Sequence, residues 1–235
     1  MEALGKVLLL PMLLHEEGWE AIPKDIDTWI KSCDAFFVEN EKTTRRYFKK
    51  IWKEMVIDDY QWFAIHQTET TQVDALLTLL KAGKTIGIVS EAGCAGIADP
   101  GQLLVAAAQK IGATVKPYTG PSSILLSLMA SGFNGQGFTF NGYLPIDAAE
   151  RKKKIQSLEQ IVSSTGFAQL FIETPYRNNQ LLEAILQHCH PTTQLCIGVD
   201  ITGPNEKIQT ATIQYWKNHT PELHKKLVLF ILGRS

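Results

Sequence analysis

The stretch that most constrains this chain is Ser90-Glu91-Ala92-Gly93-Cys94-Ala95-Gly96-Ile97-Ala98-Asp99-Pro100-Gly101. It follows an apolar run, Thr-Ile-Gly-Ile-Val at 85–89, and precedes the helix-like Gln-Leu-Leu-Val-Ala-Ala-Ala at 102–108. A loop at the carboxyl end of a buried strand is where open α/β sheets bind ligands. Plain strand-to-helix connections run about two to six residues, whereas this one spans about ten and is rich in Gly and Ala, which marks it as a cradle rather than a link. Small residues let backbone amides and carbonyls come close to a ligand. The loop has neither the Gly-x-Gly-x-x-Gly of a dinucleotide site nor the closing Gly-Lys-Ser/Thr of a P-loop, so both nucleotide readings are set aside.

Around this loop the chain alternates short apolar runs with helical patterns. Residues 7–10, 35–39, 62–65, 85–89 and 114–118 read as strands, and 26–32, 43–52, 73–82 and 101–111 as helices. Such alternation implies an α/β fold with a mostly parallel sheet. An apolar helix at 122–131, opened by Gly120-Pro121-Ser122, begins a second half of different character. There, strands at 138–142, 167–173, 194–200, 206–212 and 226–232, with helices at 148–163 and 178–188, predict a mixed sheet. The expected organisation is therefore two α/β domains, 1–118 and 119–235.

Of 235 residues, 45% are hydrophobic and 20% charged, an ordinary globular composition with enough chain to bury a core. A formal net charge of −1 excludes a strongly basic nucleic-acid footprint and leaves only local basic clusters. The four cysteines form no Cys-x-x-Cys pair, and His188-Cys189-His190 has a spacing unsuited to one metal ion. That trio reads as a helix end before Pro191, so no metal is expected. The cysteine usage suggests a reducing, cytoplasmic setting. Residues 6–10 read as a buried first strand rather than a leader, and no apolar run reaches the roughly 18–20 residues of a membrane helix.

Several further segments acquire meaning together. They are Leu10-Pro11, the run from Val38 to Arg45, Ala64-Ile65-His66, the 89–101 loop, and Pro117-Tyr118-Thr119-Gly120-Pro121-Ser122-Ser123. In the second half come Asn141-Gly142-Tyr143-Leu144-Pro145, Ile172-Glu173-Thr174-Pro175-Tyr176-Arg177 and Asp200-Ile201-Thr202. In order and spacing the chain resembles the tetrapyrrole-methylase (class III) superfamily of S-adenosylmethionine-dependent methyltransferases. The branch it is most similar to is that of the small-subunit ribosomal RNA (cytidine-2′-O)-ribose methyltransferases.

The resemblance implies two α/β domains with S-adenosyl-L-methionine in the cleft between them, no metal, and a homodimer. It implies cofactor contacts from Pro11, Ser90, Glu91, Gly93, Cys94, Ala95, Ile97, Ser122, Ser123, Ile172 and Glu173. The implied acceptor is ribosomal RNA, free or within the small ribosomal subunit. Two other readings stay open: methylation of a tetrapyrrole or other small metabolite, and a non-catalytic relative that retains the cofactor site. The chain departs from the family pattern where Pro-x-Pro-x-Gly-Asn is replaced by Pro11-Met12-Leu13-Leu14-His15-Glu16, and where a Thr-Pro is replaced by Cys94-Ala95.

Methyl transfer to a hydroxyl requires that its proton leave, and a carboxylate at a strand end suits that task. Glu39, Glu91, Asp99 and Glu173 are candidates, with Glu39 as the favoured general base and a capping or loop-stabilising carboxylate as its equal alternative. Arg45 and the cluster around it, together with Arg151 and Lys152 at the start of a helix, could meet phosphates. His66 and Arg177 complete the expected substrate contacts. The alternative for each basic cluster is a solvated helix face.

Overall fold

The computed structural model describes residues 3–65 and 69–234, and the chain divides into two compact units, Met1–Ser122 and Ser123–Ser235. Unit 1 is built on five parallel strands: β1 (Lys6–Leu9), β2 (Ala35–Val38), β3 (Gln61–Ala64), β4 (Thr85–Val89) and β5 (Thr114–Pro117). Their order in the sheet is β3-β2-β4-β1-β5. The chain leaves β1 toward β2 on one side and leaves its neighbour β4 toward β5 on the other. Right-handed crossovers then put the intervening helices on opposite faces.

The sequence encodes those two faces by alternation. Leu8, Leu10, Phe36, Val38 and Val89 pack with α1 (Ile26–Lys31) and α2 (Glu41–Ile51). Val7, Phe37, Ile86 and Ile88 pack instead with α3 (Glu69–Lys81) and α4 (Gln102–Lys110). Since both faces are buried, the strands read as continuous apolar runs, as parallel strands do. Phe36 is fully buried in an aromatic cluster, with ring centroids 4.9 Å from Phe48, 5.4 Å from Tyr60 and 4.9 Å from Trp62.

Unit 2 carries β6 (Phe138–Tyr143), β7 (Ala168–Ile172), β8 (Gln194–Val199), β9 (Lys207–Thr212) and β10 (Val228–Gly233), in the order β6-β7-β10-β8-β9. Only β6 and β7 pair in parallel; β10 runs antiparallel to β7 and β8, and β9 antiparallel to β8. This is the mixed sheet expected from the sequence. Along β10, Val228, Phe230 and Leu232 face a core with α6 (Ala148–Thr165), α7 (Asn178–His188) and α8 (Ile213–Asn218). Leu229 and Ile231 face the other core, built on α5 (Ser123–Ser131).

The helices differ in places from the sequence reading, α3 beginning at Glu69 rather than at 73. The second helix begins at Glu41, two residues earlier than the apolar pattern indicates, because the Asn40 side chain caps it by accepting a hydrogen bond from the Thr43 amide at 3.1 Å. The six-residue α8, capped by Thr212, is too short to show a helical period and was not anticipated.

Replacing Phe36 with Ala is expected to cost unit 1 about 3–5 kcal/mol. Denaturant unfolding followed by tryptophan emission measures it.

Candidate active site

Because the strands of unit 1 are parallel, their carboxyl ends lie on one side of the sheet, and the loops that follow β1, β2, β4 and β5 meet there. They are joined by specific contacts. The Met12 amide donates to the Gly93 carbonyl at 2.9 Å, forming an isolated antiparallel bridge between the β1 and β4 loops. The Tyr118 amide donates to the Leu9 carbonyl at 3.1 Å, and the Tyr47 hydroxyl to the Pro11 carbonyl at 3.2 Å. Pro11 is buried. A Cβ on Gly120 would lie 2.1 Å from the Pro11 Cβ, so only glycine permits this approach of the β5 loop to the β1 loop. The Tyr118 ring is stacked on Trp29 of α1, with centroids 3.7 Å apart.

The 90–101 loop is a built structure. Ser90 is fully buried and its hydroxyl donates to the Ala92 carbonyl at 3.0 Å. Gly93 has φ +69°, and a side chain there would press on Leu14 and the Pro121 carbonyl. Ala98 also holds a left-handed conformation, at φ 66°, a strain that concentrates at functional loops. Ala95 is buried, Cys94 half-buried and Ile97 55% exposed, so the loop offers backbone and one apolar side chain outward. The Cys94 thiol sits 3.6 Å from the Pro121 carbonyl, and burial, with Asp99 nearby, raises its pKa. A thiol held in its neutral form packs rather than attacks.

Three carboxylates gather at these strand ends. The Glu91 amide donates to Glu39 Oε2 at 2.8 Å, joining the end of β2 to the end of β4. The Asn40 side-chain amide donates to Glu91 Oε1 at 3.3 Å. Asp99 is partly buried, and desolvation together with the charges of Glu39 and Glu91 pushes its carboxyl up to about 6. Like charges in a half-buried site cannot all ionise cheaply, so Asp99 gives up its proton later than a free carboxyl does. Asp99 carried no weight in the sequence reading beyond being one of four carboxylates, because burial and neighbouring charge have no local sequence signal.

The remaining expected residues fall elsewhere. Arg45 forms an ion pair with Glu41 at 2.7 Å and lies 4.9 Å over the Trp62 ring, so its guanidinium is engaged within unit 1. His66 lies outside the described residues. Ser122 closes unit 1, and Ser123 opens α5 of unit 2. In unit 2, Ile172 ends β7, and the buried Glu173 after it accepts from Arg177 Nη2 at 2.7 Å and from the Thr174 amide at 2.7 Å. Glu173 and Arg177 thus neutralise each other. Arg151 and Lys152 lie in the first turn of α6, where the Asp147 cap offsets their charge and Arg151 Nη1 donates to the Ile146 carbonyl at 3.0 Å. Among the described residues no cluster of His, Cys, Asp and Glu is arranged to hold a metal.

No protein-family model matches the chain. Among curated relatives, a ribosomal RNA small subunit methyltransferase I from Mesorhizobium japonicum is 30% identical over 144 residues, 61% of this chain and 48% of that one. The Bacillus subtilis protein of the same name is 32% identical over 162 residues, 69% of this chain and 52% of its own. This chain thus spans about half the length of those two relatives. The Borrelia garinii subsp. bavariensis protein of that name is 32% identical over 182 residues, 77% of this chain and 76% of that one. The chain belongs to the ribosomal RNA small subunit methyltransferase I family.

The fold of this family member is shared with solved methyltransferases. The methyltransferase CobJ superposes over 100% of this chain and 95% of its own, with TM-score 0.64 and 14% identity. A Thermus thermophilus uroporphyrin-III C-methyltransferase, solved with S-adenosylhomocysteine, covers 98% of both chains with TM-score 0.59 and 13% identity. The chain is therefore a tetrapyrrole-methylase fold, as its strand-end motifs led us to expect.

Two outcomes follow from the geometry. Gly120→Ala must displace Pro11 and is expected to cost about 1–3 kcal/mol in denaturant melts. Asp99 keeps its proton to about pH 6 in the fold but loses it near 3.8 when unfolded, so the native state binds more protons between those values. The contribution of Asp99 to stability therefore falls as pH rises through that window, and Asp99→Asn gains stability relative to wild type over the same range in pH-dependent urea unfolding.

Proposed function

We propose that this chain is an S-adenosyl-L-methionine-dependent methyltransferase that methylates a ribose 2′-oxygen of small-subunit ribosomal RNA, acting as a cytoplasmic homodimer. The observation that carries the reading is the convergence of the β1, β4 and β5 loops onto a left-handed, small-residue cradle in a member of this family. The residues present fit the cofactor. The small residues Gly93, Cys94 and Ala95 leave their backbone open to close approach by a ligand, Pro11, Ser90 and Glu91 are candidate contacts beside them, and the exposed Ile97 is a candidate apolar contact. Ser122 and Ser123, at the start of α5, suit a carboxylate at a helix amino end, and Ile172 and Glu173 are further candidate contacts. Among the described residues no helix is long and apolar enough to cross a membrane.

When bound, S-adenosylmethionine supplies an electrophilic methyl group on a sulfonium. The protein's part is to hold the acceptor hydroxyl in line and to receive its proton as the new oxygen–carbon bond forms. Glu39 is the assigned base. Its Oε2 is fixed by the Glu91 amide, which orients the carboxylate and leaves its second oxygen to accept. Asp99, titrating near 6, adds a second proton-holding group to the same cluster. Arg151 and Lys152 are candidate phosphate contacts, and Arg177 holds Glu173 in place.

Calorimetric titration with S-adenosylmethionine and S-adenosylhomocysteine is expected to give micromolar binding to the full chain. Absence of binding to folded protein overturns the reading. In single-turnover methylation of small ribosomal subunits, Glu39→Gln is expected to lose about 10²–10⁴-fold in rate. An unchanged rate removes Glu39 from the role.

A further inference from the structure

The six cations and aromatics of the basic stretch on α2 do not act alike. Lys49 donates to the carbonyls of Lys53 and Met55, and Arg45 is held by Glu41 and Trp62. Both are spent on holding the fold. Arg46 and Lys50, one turn apart on a single helix face, are exposed and enter no ion pair among the described residues. They line a cavity of about 170 Å³ with Leu14, His15, Glu16, Trp19 and Glu91.

This cavity has the makings of a recognition site. Its volume is well below the roughly 300–1,000 Å³ of a site for a whole drug-sized ligand, so it takes a fragment such as one planar heterocycle. One wall is Trp19, held by stacking on Tyr47 at 5.7 Å and by Lys50 Nζ, which lies over its ring 5.6 Å from the centroid. The polar rim offers both signs. Arg46 and Lys50 donate, Glu16 and Glu91 accept, and His15 adds a donor, because its Nδ1 accepts from the Glu17 amide at 3.2 Å and leaves the proton on Nε2. With two cations facing two carboxylates, the rim is balanced and does not select a bare phosphate. An aromatic wall with mixed donors and acceptors is the chemistry that reads an unstacked base. Glu91 also touches the carboxylate cluster, through its amide on Glu39, so the cavity adjoins the site of methyl transfer.

We propose that this cavity binds one splayed-out nucleobase of the RNA acceptor, stacked on Trp19 and selected for an exocyclic amine by Glu16. The proposal rests on the RNA methyltransferase reading and adds a base-reading subsite to it. A carboxylate accepts from the amine of cytosine or adenine, and uracil has none to give. The β1 loop supplies Leu14, His15 and Glu16, and the last two stand where the family pattern has Gly-Asn.

The test is fluorescence-anisotropy binding of the full chain to oligoribonucleotides of C, A or U about eight nucleotides long, a length one nucleic-acid-binding domain covers. Oligo-C or oligo-A is expected to bind about fivefold or more tightly than oligo-U, the low end for one well-made base contact. Glu16→Ala, at an exposed position, removes the acceptor and should erase that preference while leaving oligo-U affinity unchanged, and Trp19→Phe should weaken every oligomer that wild type binds. Equal binding of all three oligomers, no binding at all, or a preference that survives Glu16→Ala overturns the proposal. Cofactor titration and methyl transfer by wild type are read separately. Intact methylation with no effect of Glu16→Ala sinks the pocket and spares the methyltransferase, whereas a base preference without methylation supports the pocket and sinks the methyltransferase.

Discussion

A parallel strand has to be covered on both faces, and nearly everything in unit 1 follows from that requirement. Covering both faces of β1, β2 and β4 demands helices on each side, and right-handed crossovers can deliver them only if the chain leaves neighbouring strands in opposite directions. That reversal falls between β1 and β4. The loops after those strands cannot pack under a helix of their own side, so they are left to meet each other. The Met12–Gly93 bridge and the close contact of Pro11 with Gly120 are how they meet. The cradle is thus a by-product of burying Phe36 on one side of the sheet and Phe37 on the other.

Much of this was legible in the sequence because it is written in short-range patterns. Strand residues that alternate between two cores still read as unbroken apolar runs, and the long Gly- and Ala-rich loop advertises itself by length. The antiparallel strands of unit 2 were legible for the same reason. The helix starts were less so, since the Asn40 cap acts through a single side-chain oxygen. The site was legible in outline only. That Glu173 would be neutralised by Arg177, that Arg45 would spend itself on Glu41 and Trp62, and that Asp99 would titrate above an ordinary carboxyl all depend on what surrounds each group in space. No window of sequence contains that information.

Charge is accordingly a poor guide to function in this chain until the partners of each group are known. Four cations in six residues of α2 look like one basic patch, yet the helix assigns two of them inward tasks and presents the other two on a single face. The carboxylates divide similarly, between structural clamps such as Glu41 and Glu173 and the group at the strand ends, where crowding rather than pairing sets their behaviour.

The stacking of Trp29 on Tyr118 has a further consequence. The rings lie nearly flat on each other, 15° from parallel, and tie the end of β5 to α1. Indole emission depends on what covers the ring, so the β5 end carries a built-in optical gauge. Any event that lifts Tyr118 off the helix, whether ligand arrival or local opening, uncovers one indole among the five in the chain and moves its emission toward longer wavelength. Motion at the mouth of the cradle can therefore be watched in the unlabelled protein.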